Sequence, residues 1–433
     1  MALSGGRDSV ALLGALVQLR KQKRWRHLQL RAIHVDHQLR PASREWARFC
    51  RALGRRWEVP VSVRRVVIAR ERGRSLEAEA RNARYAALAA SLRVGECLLT
   101  AHHLEDQLET LLLQLMRGAG VRGLAAMPAS TAFARGRLLR PCLELPREML
   151  AGFVARAQIP FVEDDSNVDP RFDRNYLRAE VLPKLQARWP AVARVTARSA
   201  AHLAEALSLL EELAASDLAA LAPQGRVRLE ALAHLSVARQ RNALRTWLLR
   251  EGLALPDAVH LERIRHELPS ARLDAQPIVR WAGGEVRRFR GELFALPPTR
   301  ERTKGAGGRA RALSWRWRRG QILVLGSGGG RWRLRADPHG AIDGTILPDV
   351  LRVRWRAGGE RIALKAGGPR QSLKEVLRSA GVVPWERERM PLLYAGRRLV
   401  AVGDLVVAAP FRAQGTRRRG RLSLEWLDRP GVH

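Results

Sequence analysis

Residues 3–9 read Leu-Ser-Gly-Gly-Arg-Asp-Ser, and Val10–Leu19 after them are apolar with helical spacing. A turn of small residues running into a helix aims unpaired amide N–H groups and two hydroxyls at the space before the helix, where the dipole favours an anion. Capping asks for one Ser or Asp. Two glycines bracketed by Ser4, Asp8 and Ser9 exceed that need and point to a phosphate-binding loop. Outward from it, Leu28–His34 and Glu96–Thr100 read as strands, and Val10–Leu19, Ser43–Leu53, Leu76–Leu92 and Leu104–Met116 as amphipathic helices. That alternation predicts an α/β fold: a parallel sheet covered on both faces, with ligands held beyond the carboxyl ends of its strands.

Two other nucleotide signatures fail. A Walker loop needs Gly-Lys before Ser or Thr, and the chain has no Gly-Lys pair. Gly118-Ala119-Gly120-Val121-Arg122-Gly123 matches GxGxxG but follows a helical segment, so it reads as a glycine-rich helix exit near the site.

Polar clusters stand at the ends of both predicted strands. His34-Val35-Asp36-His37 closes the first, and His102-His103-Leu104-Glu105-Asp106-Gln107 follows the second. Along the ensuing helix Leu104, Leu108, Leu111, Leu112 and Leu115 form the buried stripe, leaving His103, Asp106 and Thr110 on another face that can look into the crevice. On this segment alone, capping and solvation explain His and Asp equally well. No three fixed metal ligands can be assigned, so no protein metal site is predicted. Ser75 suits a helix N-cap ahead of Glu77 and Glu79, with Arg81, Arg84 and Tyr85 on one face, and Asp164-Asp165-Ser166-Asn167 precedes Arg174 and Arg178, one turn apart. Alone, either arginine pair would pass for a solvated face.

Composition narrows the partner. The 433 residues hold 77 Lys+Arg against 42 Asp+Glu, a net +35, and almost all of the excess is arginine. So basic a chain calls for a polyanion, and nucleic acid is the expected one. Between residues 301 and 433 there are 28 basic and 11 acidic residues, so +17 of the total lies there. Cys50, Cys97 and Cys142 form no CxxC pair, which fits a reducing cytoplasm; no signal peptide and no membrane-spanning run is present.

Together these segments resemble the PP-loop ATP pyrophosphatase superfamily and, within it, the tRNA(Ile)-lysidine synthase family. The resemblance rests on SGGRDS (4–9), HVDHQLRPAS (34–43), EAEARNARYAAL (77–88), TAHHLEDQLETLLLQLMRGAGVRGLAAM (100–127) and EDDSNVDPRFDRNYLR (163–178). It continues through QRNALRTWL (240–248), DAQPIVRW (274–281) and SLKEVLRSAGVVPWERERMPLLY (372–394). It implies a parallel-sheet PP-loop domain over 1–190, a helical substrate domain over 191–298, a linker with basic strands over 299–345, and a small α+β tRNA-binding domain over 346–433.

The same resemblance implies that ATP adenylates the C2 oxygen of the wobble cytidine in the CAU anticodon of tRNA(Ile), and that free L-lysine then displaces AMP. Ser4, Gly5, Gly6, Arg7, Asp8 and Ser9 would hold the phosphates, with Mg²⁺ shielding their charge. Asp36, His103 and Asp106 are candidates to orient and deprotonate the amine, and Arg81, Arg174 and Arg178 to steady negative charge. A homodimer is compatible with the sequence. A tRNA thiolase, which shares the adenylation step, generally needs paired cysteines that are missing here. A non-catalytic RNA binder would not need an intact SGGRDS loop. Family members usually have Gly where Gln38 stands and Asp where Glu105 stands. Only Met1-Ala2-Leu3 precede Ser4, shorter than the strand of about 5–6 residues that should feed the loop, so a start codon upstream is expected.

Overall fold

A computed structural model describes residues 1–38, 43–68, 76–163, 171–272, 275–298, 312–317, 321–326, 329–387, 389–414 and 420–428. Ser75, Asp164–Asn167 and all but the last residue of the 299–312 linker lie outside the described residues. The chain forms two compact units, Met1–Glu212 and Leu213–His433.

In the first unit the elements run α1 (Arg7–Lys21), β1 (Ala32–Asp36), α2 (Ser43–Arg56), β2 (Val61–Arg65), α3 (Leu76–Ser91), β3 (Cys97–Leu99), α4 (Leu104–Met116) and α5 (Val121–Leu124). Then come β4 (Ser130–Phe133), β5 (Gly136–Leu139), α6 (Arg147–Arg156), α7 (Asp173–Tyr176), α8 (Leu182–Arg188) and α9 (Val192–Leu221), whose last residues belong to the second unit. Strands β1 and β2 pair in parallel, as do β3 and β5, while β4 runs antiparallel to β5.

Met1–Leu3 joins the two halves. The Ala2 amide donates to the Leu99 carbonyl and the Leu3 amide to the Ile33 carbonyl, both at 2.9 Å, and Ala2 bridges Ile33 in parallel. The contact is an isolated parallel bridge at Ala2, with backbone hydrogen bonds to both neighbouring strands. The sheet order is therefore β2, β1, Met1–Leu3, β3, β5, β4. Leu3, Ala32, Val10, Leu13, Cys50, Leu53, Leu150 and Val154 pack on one face, and Ile33, Leu88, Leu92, Leu98 and Leu138 on the other. Strand residues thus alternate between two cores, as period-two geometry requires.

The first strand begins four residues later than its composition suggested: Leu28 closes a turn on the Trp25 carbonyl at 3.0 Å, and pairing with Val61–Arg65 sets Ala32–Asp36 as the strand. It is the partner strand, not local hydrophobicity, that fixes the boundary.

The second unit holds two cores. Leu218, Leu244, Trp247, Leu248, Ile264, Val286 and Leu293 fill one, between helices and a sheet that includes Gly284–Phe289 and Glu292–Leu296. The other gathers Trp315, Trp332 and Ile342 with Leu351, Val353, Leu373, Leu392, Val400 and Phe411, so the strands before residue 346 share a core with those after it. Leu313–Trp315 forms a strand, the Trp317 indole donates to the Pro348 carbonyl at 2.8 Å, and Arg318 and Arg319 lie outside the described residues. Among the described residues no helix is long and apolar enough to cross a membrane.

Candidate active site

The loop after the central strand is built by its own small residues. Gly5 has φ +93°, a left-handed conformation suited to glycine, and a Cβ there would lie 3.3 Å from Cys50 Sγ. Ser9 Oγ accepts from the Gly5 amide at 3.2 Å and donates to the Gly6 carbonyl at 2.9 Å, while Ser4 Oγ accepts from the Gly6 amide at 3.2 Å. The two serines therefore shape the loop. No side chain caps the N-terminus of α1, whose first amides remain available to an anion. Arg7 leans on the Phe161 ring at 4.8 Å and pairs with Glu163 at 3.2 Å, so its side chain is engaged beside the loop.

Buried His34 hydrogen-bonds the Leu3 carbonyl through Nδ1 at 2.9 Å and lies 3.4 Å from Cys50 Sγ, which supports the loop from beneath. Asp36, 4% exposed, accepts from the Gln38 amide at 2.9 Å and has Arg65 at 4.0 Å. Gln38 has φ +53°, the left-handed backbone conformation that glycine prefers.

His103 sits at the junction. Its Nε2 lies 3.7 Å from Asp8 and 3.5 Å from Asp106, and its Nδ1 lies 3.0 Å from Glu105. Glu105 also accepts from the Arg147 amide at 2.9 Å, tying α4 to α6. Asp106 divides its two oxygens: one accepts from the His103 amide at 2.9 Å as an N-terminal cap, the other takes Arg178 Nη2 at 2.9 Å. Capping and site geometry thus coexist in one side chain.

Glu109, 1% exposed, was not among the sequence candidates. It pairs with Arg174 at 3.0 Å and with Arg178, and Arg174 also donates to Thr110 Oγ1 at 3.1 Å. Arg178 lies in a π-helical turn, Leu177–Val181, between α7 and α8. Such turns are enriched at functional sites. The missed signal was spacing: Asp106 and Glu109 three apart face Arg174 and Arg178 four apart. Arg81 stacks on Tyr85 at 5.1 Å and has no hydrogen bond or ion pair to this cluster among the described residues; nor does Asp36.

The electrostatics follow from burial and neighbours. Burial alone would lower His103, but the Glu105 hydrogen bond and the charges of Asp106 and Asp8 outweigh it and raise the imidazole above its ordinary 6.5. Burial raises Asp106, yet His103, its amide and Arg178 hold the carboxyl below the usual range. For Glu109 burial prevails and the carboxyl is pushed up despite the arginines. His102, against Thr100 Oγ1 at 2.9 Å, falls to about 4 through burial and through the fields of Arg140, Arg81 and Arg174, which override that of Asp106.

Asp8 Oδ1, at the mouth of the phosphate loop, is buried without a hydrogen bond among the described residues; Glu109 Oε2 also lacks one but has Arg174 at 3.0 Å. Asp8 is a fitting donor for a divalent cation carried on phosphates, since such an ion takes one or two carboxylates and completes its shell elsewhere. No three His, Cys, Asp or Glu side chains cluster as a cation site of their own among the described residues.

Sequence comparison accords with this geometry. The PP-loop domain family matches residues 1–185, the TilS substrate binding domain 227–294 and the TilS substrate C-terminal domain 351–426. The chain is 38% identical to the tRNA(Ile)-lysidine synthase of Coxiella burnetii, covering 96% of its own length and 90% of that protein's. The chain belongs to the tRNA(Ile)-lysidine synthase family. Other members include those of Alkalilimnicola ehrlichii, 41% identical over 96% of this chain and 91% of that one, and Pseudomonas aeruginosa, 43% identical over 94% and 89%. Membership makes the chain an α/β PP-loop enzyme with an ATP site and substrate domains, and the phosphate loop, His103 and Asp106 all lie within the PP-loop match of residues 1–185.

Proposed function

We propose that this chain is a carbon–nitrogen ligase that joins free L-lysine to C2 of the wobble cytidine in the CAU anticodon of tRNA(Ile), converting codon reading from AUG to AUA. In the first step the cytidine C2 oxygen attacks the α-phosphorus of ATP, the bond to the β-phosphate breaks, and pyrophosphate leaves. In the second the lysine ε-amine attacks C2, the C2–O bond breaks, AMP leaves, and the protons lost by nitrogen pass to nearby bases.

The observation that carries this reading is a single imidazole nitrogen, His103 Nε2, within 3.7 Å of the loop carboxylate Asp8 and 3.5 Å of the helix carboxylate Asp106. Phosphate handling and proton handling therefore adjoin. Ser4, Gly5, Gly6, Arg7, Asp8 and Ser9 cradle the phosphates through amides and the α1 dipole. Mg²⁺ would be held by Asp8 together with phosphate oxygens and would neutralise the charge developing on pyrophosphate. His103 and Asp106 orient the ammonium and take its proton, with Asp36 a further carboxylate beyond the end of β1. Arg81, Arg174 and Arg178 supply positive charge, the last two also fixing Asp106 and Glu109.

In this reading residues 1–190 perform the chemistry and 191–298 and 346–433 hold tRNA, in a cytoplasm that keeps the three thiols reduced. The test is mass analysis of tRNA nucleosides after incubation with ATP and each amino acid in turn. A cytidine adduct formed only with lysine is expected; no adduct, or one with a different amino acid, contradicts the assignment.

A further inference from the structure

Many arginines of the second unit meet a carboxylate of their own neighbourhood: Arg287 pairs with Glu285 at 2.7 Å, Arg331 with Asp428 at 2.7 Å and Arg356 with Glu360 at 3.6 Å. Arg290, Arg378 and Arg387 do not. Arg290 and Arg387 place their guanidinium groups on the same Phe289 ring, at 5.3 and 5.7 Å, and Arg290 Nη2 reaches the Arg378 carbonyl at 2.9 Å. Among the described residues no carboxylate pairs with any of the three. This cluster joins the end of the hairpin strand Gly284–Phe289 to the helix Leu373–Ser379.

The backbone adds an independent observation. Arg290 has φ +49° and Gly291 φ +78°, in a two-residue turn closed by the pair Phe289 and Glu292. A hairpin turn with both φ positive favours Asn-Gly, and arginine is costly at its first position. Capping the helix end at Arg378 explains one N–H of Arg290. It does not explain why two more unpaired arginines converge on the same spot, where burial together with the fields of Arg290, Arg356 and Arg378 lowers the Arg387 pKa.

We propose that Arg290, Arg378 and Arg387 form a seat for backbone phosphates of the bound RNA, at the place where the hairpin of residues 278–296 meets the C-terminal domain. The proposal rests on the tRNA reading above and names a contact point for it. Phosphate oxygens match the guanidinium fork and supply the countercharge that the protein leaves out.

The test uses the full chain and an unmodified tRNA(Ile) transcript with a CAU anticodon, titrated by fluorescence anisotropy over a salt series. Arg290→Asn suits the turn, and Arg378→Gln lies on an exposed helix face, so both variants should remain folded with melting temperatures near wild type. Each should bind the transcript several-fold more weakly at physiological salt, and the slope of log affinity against log salt should shrink by about 0.7–0.9 per lost contact. Wild-type affinity and slope in both variants overturn the seat, and a lowered melting temperature with an unchanged slope reduces Arg290 to a helix cap. If the wild-type chain itself fails to bind, the tRNA reading falls along with the seat.

Discussion

Arg174 and Arg178 in the catalytic unit and Arg331, Arg333 and Arg335 in the C-terminal sheet all face carboxylates, but the surroundings differ. The Glu109 side chain that receives the first pair is 2% exposed; Glu425, which receives Arg333 and Arg335, is 25% exposed, and Asp428, opposite Arg331, is 65% exposed. A buried pair cannot lose one member without stranding a charge, whereas a surface pair is replaced by water and salt. The period-two arginines of Arg331–Ala336 are thus largely neutralised within their own sheet, and they are poor candidates for gripping RNA. Arg352 and Arg354, on the strand Leu351–Trp355, are exposed instead, with Arg354 over Tyr394 at 5.5 Å. Net charge read from composition does not separate these cases, because it counts paired and unpaired arginines alike.

Removing the buried acceptor should have the largest effect. Glu109→Gln leaves Arg174 and Arg178 undercompensated and should cost about 3 kcal/mol of stability, measured by urea unfolding of the isolated chain, with turnover lost as well. A loss no larger than that of a surface pair would erase the contrast. Asp8→Ala should act on chemistry alone. Its free Oδ1 makes no hydrogen bond, so the melting temperature should hold while turnover falls by roughly 10²–10³ or more. Near-wild-type turnover would remove Asp8 from the phosphate site.

The pH dependence offers a subtler check. A neutral His103 is needed to take a proton, so ligation should rise with pH along a limb centred above the ordinary imidazole value of 6.5. Glu105→Gln removes the leading influence that raises His103 and should move that limb toward acid. Stability runs the other way: a folded-state pKa raised above the unfolded value contributes stability that is complete below about 6.5 and is lost as pH climbs through the folded value. A limb unmoved by Glu105→Gln would show that another group sets it. The smallest effect belongs to the surface: Glu425→Gln should change stability by less than about 1 kcal/mol.

Much of the catalytic unit was legible because its signals are local. Helix α4 runs over Leu104–Met116, the stretch its leucine spacing marks, and the glycine loop enters α1 where its small residues place it. What escaped depends on partners far along the chain. Glu109 lies one turn beyond Asp106 on α4, and Arg174 and Arg178, more than sixty residues away, make its burial tolerable. The place of Met1–Leu3 between two strands likewise depends on distant residues, through hydrogen bonds to the Ile33 and Leu99 carbonyls. The arginines of Arg331–Ala336 depend on distant partners in the same way. Period two marks the face of a strand, but the acids across the sheet at Glu425 and Asp428 decide whether that face is free.

The central claim is that phosphate chemistry and amine chemistry meet at His103 but use different carboxylates, Asp8 for the first and Asp106 for the second. Asp106→Asn tests it most directly. The variant is incubated with tRNA(Ile) transcript, ATP and lysine, and mass spectrometry follows adenylated cytidine and the lysine adduct separately. The account expects adenylation to continue near the wild-type rate while the adduct falls by about 10² or more, so that adenylated tRNA accumulates. Equal loss of both products would contradict it and make Asp106 a nucleotide ligand or a structural cap.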